Sequence, residues 1–330
     1  MRRRTFAAFV GAAALTSSNS SGLLAQPRGL LRVGHASTQT LTDGNPARRA
    51  FVARMAELGY VEGRNFLYDF VTVAGPSEIV AGYASTIGRG AGILLAAGSQ
   101  NALQGAREAA GDRLPIVFMA IDFDPIRSGY VASLARPGGN LTGIFVQQVE
   151  LAEKRIEMAR DALPKARRLA LWWDYASREQ AEAAAAAAAA GARGFEPHLI
   201  EASGQPPDFE AAFRRGESLG VEAVIVPASP VFFRERAEIA RLALLHRVPL
   251  IAAFREFVSA GALFSYGVDL TDAYREAAAY IDRIARGAKP ADLPIGQSTK
   301  FDLVLNLTTA RALDITFSPV LHARADEVIE

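Results

Sequence analysis

The sequence predicts an α/β protein of two Rossmann-like lobes, each built on a parallel sheet and joined to the other by a hinge. Three observations predict it. Short apolar runs alternate with helical stretches from residue 30 onward, the pattern of successive βαβ units. The alternation comes in two blocks, about 30–143 and 144–267, followed by a tail. The chain has 330 residues, 50% of them hydrophobic, which is more than one core usually takes up.

The elements follow in order. Leu31 to Gly34 reads as a strand. Asn45-Pro46 starts a helix, with Asn as the cap and Pro at the first helical position. Phe51, Met55 and Leu58 mark its apolar face, and Gly59 supplies the left-handed residue that ends it. Phe66 to Val73 is a strand and Ser77 to Arg89 a helix. Ile93 to Ala97 is a continuous apolar run, as a strand covered on both faces requires. A helix runs from Gly98-Ser99 to about Ala110, and Ile116 to Ile121 is a further strand. In the second block, Leu151 to Ala162, Ser177 to Ala190, Phe209 to Leu219 and Phe232 to His246 read as helices. Arg168 to Trp173, residues 197–200, Ala223 to Val226 and Pro249 to Ala252 read as strands. The alanine tract Ala183 to Ala190 belongs to a surface helix, because alanine is the best helix former. The tail adds one long helix, Thr271 to Arg286, and an irregular end. One lobe is expected over 30–143 plus about 268–298, the other over 144–267 plus about 299–330. The chain is expected to cross between them near Gly143–Val146, Tyr266–Val268 and Thr299.

The first residues have a separate purpose. Arg2, Arg3 and Arg4 precede the apolar run Phe6 to Leu15, and Ala25 offers a small residue at a break. These are the parts of a secretory signal, and Arg3-Arg4-Thr5-Phe6 has a twin-arginine look. Residues 1–25 are therefore expected to be a Tat- or Sec-like export signal, with cleavage after Ala25. The apolar run is far shorter than the ~20 residues a membrane span needs. Cleavage removes three arginines and no acidic residue, which takes the formal net charge from +1 to −2. No basic excess remains to favour nucleic acid. The chain has no cysteine, so disulfides and thiolate metal sites are excluded, and a lipid-anchored mature form is not expected. A soluble exported protein is expected.

Ligands of open parallel sheets bind outside the carboxyl ends of the strands. That rule selects His35 to Gln39, Gly98 to Asn101 and Asp122 to Pro125 in the first block. In the second it selects Trp173 to Ser177, Pro227 to Pro230 and Phe254 to Glu256. Ser37, Thr38, Ser99, Gln100, Asn101, Ser177 and Ser229 are small hydroxyl or amide residues at helix starts. Free N–H groups there favour an anionic group, although each such residue can equally cap its own helix. Asp122 and Asp124 either hold a ligand's ammonium or cap the turn at Pro125. Arg255 either clamps a carboxylate or pairs with Glu256 or Asp269. Of Trp172-Trp173, one ring is expected in the core and the other on an apolar cleft wall. G-x-S-x-G, Walker and H-E-x-x-H motifs are absent. Gly88-Arg89-Gly90-Ala91-Gly92 precedes a strand and is a turn, not a dinucleotide loop. The four histidines, His35, His198, His246 and His322, lack ligand spacing. No catalysis, cofactor or metal is expected.

Several stretches resemble one family. They are Glu57-Leu-Gly-Tyr-Val-Glu-Gly63, Val131-Ala-Ser-Leu-Ala-Arg-Pro-Gly-Gly-Asn-Leu-Thr-Gly143, Arg255-Glu-Phe-Val-Ser-Ala-Gly261 and Ser265-Tyr-Gly267. Gly287-Ala-Lys-Pro-Ala-Asp-Leu-Pro294, Thr299-Lys-Phe-Asp-Leu-Val-Leu-Asn-Leu307 and Arg324-Ala-Asp-Glu-Val-Ile-Glu330 complete the set. They resemble the ABC-transporter substrate-binding proteins of the tryptophan-importer (TrpX-like) type, and they span nearly the whole chain. The resemblance implies the type I periplasmic-binding-protein fold: a clamp that holds a small solute in its cleft and delivers it to an inner-membrane permease, usually as a monomer. It carries over residue by residue. Gly98 matches the family's Gly-Thr-Pro loop, with Ser99-Gln100 in place of Thr-Pro. Asp124-Pro125 match its Asp-Pro pair. Trp172 matches the Trp of a Leu-Trp-Asn-Pro stretch, with Trp173-Asp174 where Asn-Pro is usual. Ser229-Pro230 occupy an Asp-Pro position with the Asp replaced, and Tyr266-Gly267 match. The departures fall on strand-end loops, the places expected to touch solute.

The candidate solute-binding set is Ser37, Thr38, Gly98, Ser99, Gln100, Asp122, Asp124, Trp173, Ser177, Ser229, Arg255, Tyr266 and Asp269. The solute is expected to be an amino acid, aromatic or other. The rivals are a solute-sensing adaptor that docks on a membrane receptor and an exported α/β enzyme. The enzyme would need a nucleophile–base pair or a metal site, and the sequence shows neither.

Overall fold

The computed structural model describes residues 29–121, 123–174, 181–204 and 206–330. The expected export signal, Asp122 and Ser177 lie outside the described residues.

The first block forms β1 (Leu31–Ser37), α1 (Pro46–Glu57), β2 (Phe66–Thr72), α2 (Ile79–Gly88), β3 (Ile93–Gly98), α3 (Gln100–Ala110), β4 (Ile116–Ala120) and β5 (Leu141–Phe145). The start of α1 is built as its sequence predicts. The Asn45 side chain accepts from the amides of Ala47 and Arg48 at 2.9 and 3.3 Å, and Pro46 needs no partner for a missing N–H. Phe51 and Met55 are fully buried, and Gly59 takes a positive φ beyond the helix end.

The second block forms α4 (Gln148–Ala162), β6 (Arg168–Trp173), α5 (Ala181–Ala192), β7 (Glu196–Glu201), α6 (Phe209–Ser218), β8 (Ala223–Ile225), α7 (Pro230–Arg234), α8 (Arg236–Leu245), β9 (Leu250–Ala252), α9 (Arg255–Ser259) and β10 (Phe264–Val268). Its core is aromatic. Trp172 is 1% exposed and packs on Phe209, Phe213 and Phe232. The tail forms α10 (Leu270–Ala285), β11 (Gly296–Gln297), β12 (Phe301–Asn306), α11 (Leu307–Ala312), α12 (Pro319–Ala323) and β13 (Glu327–Ile329).

Two sheets result. The first runs β11-β5-β4-β3-β1-β2 and is parallel throughout. The second runs β13-β12-β10-β9-β8-β6-β7 and is parallel except between β10 and β12. In each sheet the strand order reverses at one place. The reversal lies between β1 and β3 in the first sheet and between β6 and β8 in the second, so each has a crevice at its carboxyl edge.

The chain passes between the sheets three times: from β5 to β6, from β10 into α10, and from β11 to β12. α10 packs against α1, β4 and β5, on the first sheet's side. Asp269 and Lys300 link the second and third passages. Lys300 Nζ donates to Asp269 Oδ2 at 2.6 Å, while Asp269 Oδ1 caps α10 by accepting from the amides of Thr271 and Asp272. Burial alone would raise the Asp269 carboxyl, but the bonds from Lys300 and Thr271 outweigh it and hold its pKa below the ordinary value.

Three sequence expectations are corrected. The single helix expected over Phe232–His246 is two helices that meet at Glu235, whose φ and ψ of −92° and 12° leave the α region. The irregular end instead holds β12 and β13, which continue the second sheet, and the short helices capped by Asn306 and Ser318. β5 and β10 were not anticipated as strands, since Gly143 and Gly267 interrupt their apolar pattern. Gly267 is required there for space: a Cβ would stand 1.8 Å from the Ala253 carbonyl oxygen.

Candidate functional site

The carboxyl edges of the two sheets meet around one cavity of about 200 Å³. From the first sheet's side it is lined by Ser37 at the end of β1, by Thr38, Gln39, Thr40 and Leu41 after it, by Ala97, Gly98, Ser99, Asn101 and Ala102 at the β3–α3 junction, and by Ile121 after β4. Asn45, Pro46 and Ala47 add the start of α1, and Pro76 and Ile79 the approach to α2. From the second sheet's side come Ala228 to Val231, Phe233, Arg234, Arg236, Phe254 and Glu256. Leu270 and Tyr274 of α10 complete it. Each reversal in strand order thus contributes to the cavity, as the geometry of open α/β sheets requires.

The loop after β1 is held by its own polar groups. The Gln39 amide donates to Ser37 Oγ at 3.1 Å. Gln39 Nε2 donates to the Pro230 carbonyl at 2.7 Å, a bond that joins the two sides of the cavity. Beneath this loop, His35 is 1% exposed, with Nδ1 2.6 Å from the Tyr68 hydroxyl. Burial pushes its pKa down to about 3, so the ring is neutral at ordinary pH. At the β3–α3 junction Gly98 has φ +105°, a conformation that glycine tolerates and that turns the chain into the helix. Ser99 caps α3 by accepting from the Ala102 amide at 3.3 Å. The N-terminal end of α3, with Ser99, Asn101 and Ala102 in the lining, therefore borders the cavity, where its leading N–H groups favour an anionic group.

Across the cavity Ser229 caps α7, accepting from Val231 and Phe232 at 3.1 and 3.3 Å, and donates its hydroxyl proton to Asp174 Oδ2. Both residues are buried. Asp174 follows β6 and Ser229 follows β8, so this bond spans the crevice at the second reversal in strand order. Ser229 and Asp174, from the loops after two neighbouring strands, are thereby in direct contact. The break between α7 and α8 presents two arginines. Arg234 pairs with Glu235 at 2.7 Å, while Arg236 donates to the Phe233 carbonyl at 2.8 Å and lies 4.9 Å from the centre of its ring. Phe233 meets Phe254 edge to face, at 5.6 Å between centroids. Glu256 is partly buried beside them, and burial raises its carboxyl above the ordinary value.

Five sequence-derived candidates, Ser37, Thr38, Gly98, Ser99 and Ser229, line this one cavity. Others stand elsewhere. Asp124 Oδ1 accepts from the amides of Ile126 and Arg127 at 2.8 and 3.1 Å, which is the turn-capping alternative. Arg255 pairs with Glu327 of β13, so it is engaged neither by Glu256 nor by the cavity. Asp269 is engaged by Lys300 and the α10 amides. Tyr266 packs beside Phe301, at 6.3 Å between centroids, and Trp173 lies at the end of β6 outside the lining. Gln100 opens α3 without being part of the lining. Of Ser99, Asp122, Ser229 and Arg255, expected to share the cleft, the two serines line the cavity, Arg255 stands outside its lining, and Asp122 lies outside the described residues.

The sequence reading missed Tyr274, Arg234 and Arg236. No strand-end rule finds them, because they come from helices; an aromatic on the long tail helix was the available signal for Tyr274. Among the described residues no group of three or more His, Asp or Glu side chains is arranged to hold a metal ion, and no helix is long and apolar enough to cross a membrane.

Comparison with known proteins agrees with this architecture. A tyrosine-binding protein of Clostridioides difficile (strain R20291) is 24% identical over 285 residues, covering 85% of this chain and 81% of the relative. A Streptococcus pneumoniae ABC domain solved in complex with L-Trp superposes with a TM-score of 0.80 at 20% identity, covering 91% of this chain and all of that one. A conserved domain protein from Vibrio cholerae gives 0.80 at 22% identity, over 90% and 99% of the two chains. These likenesses show the fold, two parallel-sheet α/β lobes of the type I periplasmic-binding-protein kind. The family model described as ABC transporter substrate binding protein matches residues 44–329, and the chain belongs to that family.

Proposed function

We propose that the chain is the solute-binding component of an ABC importer, working in the periplasm and taking an amino acid, aromatic or other, into the cavity between its lobes. The observation that carries this reading is the cavity itself. Polar groups from the carboxyl edges of both sheets converge on it, and apolar residues such as Ile79, Phe233, Phe254 and Leu270 fill the space between. The N-terminus of α3, with Ser99 and Asn101, suits a carboxylate. The apolar wall suits a hydrocarbon or aromatic side chain. The names of two relatives, one tyrosine-binding and one solved with L-Trp, support an amino acid.

Solute contacting both lobes favours the closed arrangement by its differential affinity for it, with the three passages between the sheets acting as the hinge. The closed clamp, a monomer, then docks on an inner-membrane permease. The test is a thermal-shift panel of the L-amino acids and small organic acids. A solute at a hundred times its Kd adds roughly 2.7 kcal/mol of stability. No shift with any amino acid contradicts the amino-acid reading.

A further inference from the structure

We propose that Glu256 receives the cationic group of the solute, which makes the cleft select compounds that carry an ammonium beside an anionic group. The inference rests on the solute-binding reading above and deepens it.

Glu256 lines the cavity just after β9, yet its Oε2 is shielded from solvent and has no hydrogen-bond partner. A carboxylate oxygen in that position is costly, because no protein group replaces its lost hydration. Among the described residues, each charged group that acts on it has another contact. Arg255 is engaged by Glu327. Arg236 is turned to the carbonyl and ring of Phe233. Asp269, a like charge, is engaged by Lys300. Burial raises the Glu256 carboxyl and prevails, against the pull of its own backbone amide and of the two arginines, while Asp269 adds to the rise. Among the described residues, then, no cation forms an ion pair or hydrogen bond with Oε2. A cation entering the cavity does.

The other end of the same cavity has the opposite character. Ser99, Asn101 and the leading amides of α3 favour an anion. An anion-favouring end and an unpaired carboxylate on one cavity match a zwitterion. They also reject its uncharged or purely anionic analogues, since such an analogue leaves Glu256 unpaired in the closed state.

The experiment uses the whole chain and isothermal titration calorimetry at neutral pH. The probes are the L-amino acid that stabilises most in the thermal panel and its deaminated carboxylic acid, which has hydrogen in place of the ammonium. The unaltered protein is expected to bind the amino acid roughly tenfold to hundredfold more tightly than the deaminated acid. Glu256→Gln is expected to weaken the amino acid, leave the deaminated acid nearly unchanged, and so remove most of that ratio. Unliganded Glu256→Gln should melt no lower than the unaltered protein, because it removes an unpaired buried carboxylate. Equal weakening of both probes, unchanged affinity for the amino acid, a lower melting temperature, or equal binding of both probes by the unaltered protein overturns the inference while leaving solute binding intact. A panel in which no amino acid binds overturns the amino-acid reading, and this inference with it.

Discussion

At the scale of single residues, burial decides which polar groups are free to act. His35 carries a penalty for protonation: its folded pKa is about 3, against an ordinary ~6.5. The unfolded chain takes up a proton near pH 6.5 that the folded chain refuses until near pH 3. Stability is therefore lost as the pH falls through that window. His35→Gln, which keeps a polar partner for Tyr68, should lose less stability than the unaltered protein between about pH 7 and about pH 4.5, read as urea midpoints. A loss equal to that of the unaltered protein contradicts a buried, neutral His35. The same scale explains which candidate residues were legible. Ser37, Ser99 and Ser229 follow from the strand-end rule because their positions are set by their own strands. Arg255 and Asp269 look equally available in the sequence, but their charges are taken by Glu327 and Lys300, 72 and 31 residues further on. Those partners meet them only through tertiary folding.

At the scale of elements, the loop after β1 and the start of α7 act as a pair. The Gln39–Pro230 bond is made only when the two sides of the cavity stand close. Gln39→Ala should therefore weaken solute binding roughly two- to tenfold, the range for one neutral hydrogen bond, with the unliganded melting temperature nearly unchanged. Calorimetric Kd values read the effect, and unchanged affinity contradicts a role in closure. Local pattern was enough for β1 to β4 and α1 to α3 of the first block, because a buried parallel strand such as β3 is an unbroken apolar run and α1 carries its own cap. It was not enough in three places. β5 and β10 carry glycines at close backbone approaches, which dilute the strand signal. The break at Glu235 has neither glycine nor proline to mark it. β12 and β13 are short, and their sheet partners are distant in sequence.

At the scale of the whole molecule, the arrangement follows from two open sheets whose reversals in strand order face one cavity. The family resemblance reaches the fold because its stretches lie in turns and strand ends along most of the chain. It does not reach the solute, because three of the residues that differ, Ser99, Asp174 and Ser229, are at the cavity or bonded to its lining. The central claim is that an amino acid sits in this cavity and is gripped from both sides. The most direct test is a crystal structure grown with the amino acid that gives the largest thermal shift. The account predicts that it lies between Ser99 and Glu256 and contacts loops of both sheets. An amino acid bound elsewhere, or touching the loops of only one sheet, would contradict it.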